Sequence, residues 1–147
     1  MVQHSAAARL PLLERLGRDG HGRALDRDGL RDSVGRELLR LLNTRSGPRP
    51  TGALSVIDYG VPDWSSCYTA DFEDRQRLAR VIEAAVRAFE PRLRAPRAEV
   101  LADPGGMRRL RVLLHGALWD DGAGSAITYG LALDGAGAAP LGPAEGA

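Results

Sequence analysis

Apolar residues recur at three- and four-residue steps in two stretches of this chain and at alternate positions further on. That change of period divides helices from strands. Leu30, Val34, Leu38, Leu41 and Leu42 form one apolar face and predict a helix from about Leu30 to Thr44. Asp28 is its expected N-cap, Asp32 suits the first turn, and the run Ser46-Gly47-Pro48-Arg49-Pro50 stops it. A second stripe of Leu78, Val81, Ile82, Ala85, Val86 and Phe89 predicts a helix over residues 72–89, capped by Asp71 and ended by Pro91. An alternating period then takes over. Residues 99–102 predict a short strand, Arg108 to Leu118 a second and Ala126 to Leu133 a third, with turns at Asp103-Pro104-Gly105-Gly106 and Asp120-Asp121-Gly122. The pattern gives one α+β domain of two main helices and a three-stranded antiparallel sheet.

The flanks are less patterned. Residues 1–9 read as a flexible leader, followed by a short helix over 10–16 and a glycine-rich linker; residues 134–147, rich in Gly, Ala and Pro, read as a disordered tail. The domain is therefore expected to span 10–133. Residues 51–70 form a long connection, and connections of that length in a compact domain are often functional.

Composition narrows the function classes. The 147 residues carry 20 basic and 19 acidic side chains, too balanced for a protein that binds nucleic acid through its phosphates. Every basic residue is arginine, a bias that reads mainly as the codon usage of a GC-rich bacterial genome. No window is apolar enough to span a membrane, and the start lacks the basic and apolar regions of a secretory signal. The lone Cys67 has no partner for a disulfide or metal site, and His4, His21 and His115 have no ligand spacing. A cytoplasmic protein without metal or cofactor is expected.

Three segments stand out from this background. Asn43 and Arg45 end the first helix, where Asn tolerates a left-handed C-cap and Arg suits the negative helix end. Asp58, Tyr59, Gly60, Pro62 and Asp63 lie in a tight turn of the long connection. Glu90, Pro91 and Arg92 follow the second helix, where a carboxylate opposes the helix dipole. Glu90 and Arg92 either bridge internally or present both charges to another chain.

Taken together, "RELLRLLNTR", "SVIDYGVPDW" and "FEPRL", in this order and at these intervals, resemble TssE, the baseplate subunit of type VI secretion systems. That family is related to a phage baseplate wedge protein and is often labelled lysozyme-like. The resemblance covers residues 10–133 and implies a structural, non-catalytic role. It implies contact with the wedge proteins TssF and TssG, with TssK through the wedge, and with the contractile sheath proteins TssB and TssC. The implied localisation is cytoplasmic, within a membrane-docked baseplate. The family's Glu-Pro-Arg motif falls on Glu90, Pro91 and Arg92 and is implicated in docking. The family's turn usually reads Asn-Tyr-Gly, whereas this chain has Asp58, which when ionised donates no hydrogen bond.

The lysozyme-like label raises a rival, a glycoside hydrolase acting on peptidoglycan. Such an enzyme needs two carboxylates about 5–5.5 Å or about 6.5–9.5 Å apart. Glu90 with Asp58 or Asp63 is the available pair, but Arg92 beside Glu90 supports a carboxylate where a proton donor is required. Few aromatic residues are present to stack on sugars. The third strand, last before the tail, is expected at a sheet edge, where Thr128 and Gly130 would meet a sheath strand helped by Arg109 and Arg111.

Overall fold

The computed structural model describes residues 26–46, 59–64, 71–106, 108–120 and 122–141. The leader, the short helix expected at 10–16, Asp58, Cys67, His4 and His21 lie outside these residues. Helix α1 spans Arg27–Asn43 and α2 spans Phe72–Phe89. Strands β1 (Leu93–Ala102), β2 (Leu110–Asp120), β3 (Ala123–Asp134) and β4 (Gly137–Pro140) follow as an antiparallel meander in the order β1-β2-β3-β4.

Both helices form where the apolar period placed them. Asp26 rather than Asp28 caps α1, because its Oδ1 accepts the Gly29 N–H at 2.7 Å; Asp28 instead puts negative charge in the first turn. Asp71 caps α2 through the Glu73 and Asp74 N–H groups, as expected. The stripes point inward: Leu30, Val34, Leu38, Leu41 and Leu42 meet Leu78, Ile82 and Val86 over a sheet face made by Leu93, Val100, Val112, Leu114, Leu131 and Leu133. Burying side chains of this size is worth roughly 1.5–3 kcal/mol each before chain entropy is subtracted.

Among the described residues the sheet has four strands, not three. Gly137–Pro140 lies within the stretch read as a disordered tail, yet Leu133 pairs with Ala138 and Leu131 with Pro140. Small residues hid this strand, since Gly and Ala give no alternating hydropathy signal. As a result β3 is not the terminal strand: β4 pairs Leu131–Asp134 and the Leu141 N–H bonds to Gly130 O at 2.9 Å. Much of the edge offered above to a sheath strand is therefore occupied by the chain itself.

β1 also begins earlier than the alternation suggested. Arg94, Ala95 and Pro96 form a bulge in which Ala95 has φ +49°, and this irregularity masks the strand period upstream of Arg97.

Candidate functional site

Glu90, Pro91 and Arg92 turn the chain from α2 into β1. The Glu90 N–H closes the helix onto Val86 O at 2.8 Å, and the Leu93 N–H returns to Glu90 O at 3.1 Å. The Glu90 side chain is only 1% exposed. Its Oε1 accepts the Arg92 backbone N–H at 3.1 Å and Nε at 2.8 Å, and its Oε2 accepts Nη2 at 2.6 Å. Arg92 Nη1 donates to the buried Ser33 Oγ on α1 at 2.9 Å. One fork-like pair thus joins α1, the end of α2 and the start of β1. The guanidinium also offsets the unfavourable position of a carboxylate at a helix C-terminus. Of the two roles that the sequence leaves open for Glu90 and Arg92, the structure has the internal bridge; Pro91 is the exposed member of the motif.

The second segment is fastened to α1. Arg45 and Val61 form a parallel bridge in which the Val61 N–H reaches Thr44 O at 2.9 Å and the Ser46 N–H reaches Val61 O at 3.0 Å. Gly60 has φ +116°, and a Cβ there would stand 2.3 Å from Thr44 O. Glycine is required on both counts. Tyr59 donates its hydroxyl to Glu37 Oε1 at 2.6 Å, while Glu37 Oε2 accepts Arg40 Nη1 at 2.6 Å. The Tyr59 ring meets Phe89 edge-on, with centroids 5.3 Å apart. Burial first, and then the hydrogen bond to Glu37 and its negative charge, push the Tyr59 phenol well above its ordinary range.

Arg45 and Asp63 pair at the surface, and the Arg45 guanidinium lies 4.7 Å from the Trp64 ring centroid. Pro62 sits between them in sequence, half-buried. Asn43 is the last residue of α1 rather than a left-handed cap; Thr44 is the extended C-cap. The Asn43 side chain acts elsewhere. Its Nδ2 donates to Ala138 O at 3.0 Å and its Oδ1 accepts the Ala138 N–H at 2.8 Å, as a neighbouring strand would.

Asn43, Arg45, Tyr59, Gly60, Pro62 and Asp63 therefore belong to one region at the end of α1, whereas Glu90 and Arg92 form a separate buried lock. Sequence reasoning missed Ser33 and Glu37. A signal was present: both are polar residues on the otherwise apolar face that carries Leu30, Val34 and Leu38.

This arrangement holds elements in place; among the described residues, Glu90 is buried against Arg92 and exposes no pair of carboxylates built around it. A family model described as baseplate wedge protein gp25 matches residues 28–123, which is most of the chain. The chain belongs to the gp25 baseplate wedge family. The matched span contains α1 but for Arg27, all of α2, β1 and β2, and all three singled-out segments. Among solved structures, a chain from one described as the baseplate complex from the type VI secretion system has 21% identity to this one and a TM-score of 0.52. That alignment covers 70% of this chain and 93% of the other. It shows a shared fold. No curated protein matches.

Proposed function

We propose that this chain is a structural baseplate subunit of a type VI secretion apparatus, docking onto the wedge complex and helping to seat the contractile sheath. The family match over residues 28–123 carries this reading, and the fold shared with the type VI baseplate chain supports the choice of apparatus. In it, TssF and TssG are the direct partners, TssK is reached through the wedge, and TssB and TssC assemble above. The protein acts on the cytoplasmic side; no helix among the described residues is long and apolar enough to cross a membrane.

The geometry divides the labour among the singled-out residues. Glu90 and Arg92 fix the α2–β1 corner and so set the attitude of the exposed Pro91. Arg45 and Asp63, both well exposed, are polar groups at the end of α1 that a partner can reach. Asp58, next to Tyr59 in the sequence, keeps only the partner-binding role that the family resemblance implies. A catalytic role for Glu90 has little support, because both its oxygens are engaged by Arg92 and its side chain is buried.

Co-expression with TssF and TssG tests the proposal. The three chains should elute together from size-exclusion chromatography, and Arg45→Glu combined with Asp63→Arg should weaken that association without changing the melting temperature by more than a few degrees. A TssF–TssG complex that forms while this chain elutes alone would remove the assignment.

A further inference from the structure

Among the described residues β1 is an edge strand, bonded to β2 on one side only. Its hydrogen-bonding phase can be read from two contacts. The Asp103 N–H reaches Arg109 O, on the β2 side, whereas the Ala98 N–H turns the other way and meets Glu83 Oε1 of α2 at 2.9 Å. By the two-residue period of a strand, Ala98, Val100 and Ala102 all direct N–H and C=O outward. They open onto a groove of about 290 Å³ between β1 and α2, lined among others by Phe72, Ala79, Glu83, Val100 and Leu101. Phe72 is 64% exposed there. Unpaired edges of this kind template pairing with another strand unless something blunts them. β1 carries no lysine, and its Pro96 lies upstream of the open stretch.

We propose that Glu83 is a side-chain latch on a self-complementary edge, and that removing it lets two copies of this chain join β1 to β1. The occupant follows from register. In an antiparallel pair related by a two-fold axis at Val100, Ala98 faces Ala102 of the second copy and Val100 faces itself. All three outward residues then exchange hydrogen bonds. Arg97 falls opposite Asp103, an attractive cross-strand pair, and Glu99 opposite Leu101. Moving the axis to Glu99 sets Glu99 against Glu99 and Ala102 against Pro96, which has no N–H. Moving it to Leu101 sets Glu99 against Asp103. The Val100 register is favoured by charge and by donor count together. In the single chain, the Glu83 carboxylate occupies the first of those donors and places a negative charge in the path of an incoming backbone carbonyl. This inference requires nothing of the baseplate reading.

Sedimentation equilibrium on the full chain tests it. Glu83→Ala should dimerise at least tenfold more tightly than the native chain, while Glu83→Gln, whose carbonyl still accepts the Ala98 N–H, should stay close to native. Adding Ala102→Pro to Glu83→Ala removes an outward donor without touching the β2 ladder and should restore the monomer. A folded Glu83→Ala that stays monomeric, a Glu83→Gln that dimerises equally, or a dimer indifferent to Ala102→Pro would each overturn the proposal. Amide exchange on the native chain is a second readout that needs no variant to fold. The Ala98 amide should exchange at least tenfold more slowly than that of Ala102, and equal rates would mean that no latch exists.

Discussion

At the scale of single residues, two positions carry more than their size suggests. Gly60 combines a φ of +116° with a carbonyl oxygen standing where a Cβ would be. Backbone strain of this type costs roughly 1–3 kcal/mol, and the overlap adds to it. Gly60→Ala should therefore lower stability by at least about 2 kcal/mol in urea melts, whereas Gly135→Ala, with open space around it, should cost under about 1 kcal/mol. Equal effects at the two sites would show that the 59–64 segment is not held against Thr44. The second position is Glu90. Truncating one side of a buried, hydrogen-bonded ion pair leaves a charge without its partner, at a cost of roughly 3–5 kcal/mol. Glu90→Ala and Arg92→Ala should each show that loss in denaturant melts, and the double variant should lose less than the sum. Additive losses would mean that the two side chains do not act as a pair.

At the scale of elements, β4 depends on α1. Its four residues contain no side chain larger than proline, so burial contributes little. The bonds to β3 and the double contact from Asn43 to Ala138 hold it. Asn43→Ala should raise amide exchange at Ala138, Ala139 and Leu141 by tenfold or more while the core of β2 stays protected; Asn43→Asp, which keeps an acceptor but loses the donor, should fall between. Unchanged exchange at Ala138 in Asn43→Ala would show that the strand stands without it. This element also marks where sequence reading stops. The helices were legible because leucines at helical spacing have only one way to bury together, β2 because Leu110, Val112 and Leu114 alternate, and β3 because Ile127, Tyr129, Leu131 and Leu133 do. β4 and the start of β1 were not, since Ala and Gly carry no period and the Ala95 bulge interrupts one. The candidate site was legible as three segments, but not as two structures. Nothing local to Asn43 says that its amide will complete a strand 95 residues away.

At the scale of the whole molecule, the fold is tied together by tyrosines whose ionisation should set its alkaline limit. Tyr59 holds the 59–64 segment to α1 through Glu37, and Tyr129 holds β3 to α1 by donating to Arg31 O at 2.9 Å. Burial foremost pushes the Tyr129 phenol up to about 12, and Tyr59 moves in the same direction for the same leading reason. In the unfolded chain both ionise near about 10. Below that pH the two states are protonated alike and the contribution to stability is complete. Above it the unfolded chain releases protons that the fold retains, so stability falls as pH rises through the folded values. The composition makes the effect unusually clean, because the chain has no lysine to titrate in this window and its arginines stay charged throughout. Melting temperatures should be level from about pH 8 to 9.5 and drop beyond pH 10, with tyrosinate absorbance appearing together with unfolding. Tyr59→Phe and Tyr129→Phe should each melt somewhat lower at pH 8, having lost a hydrogen bond worth roughly 1 kcal/mol. The double variant should lose most of the alkaline slope and leave Tyr68 as the remaining phenol. If Tyr59 and Tyr129 instead ionise near pH 10 in the folded protein, with no change in melting temperature, neither hydroxyl is holding its element to α1.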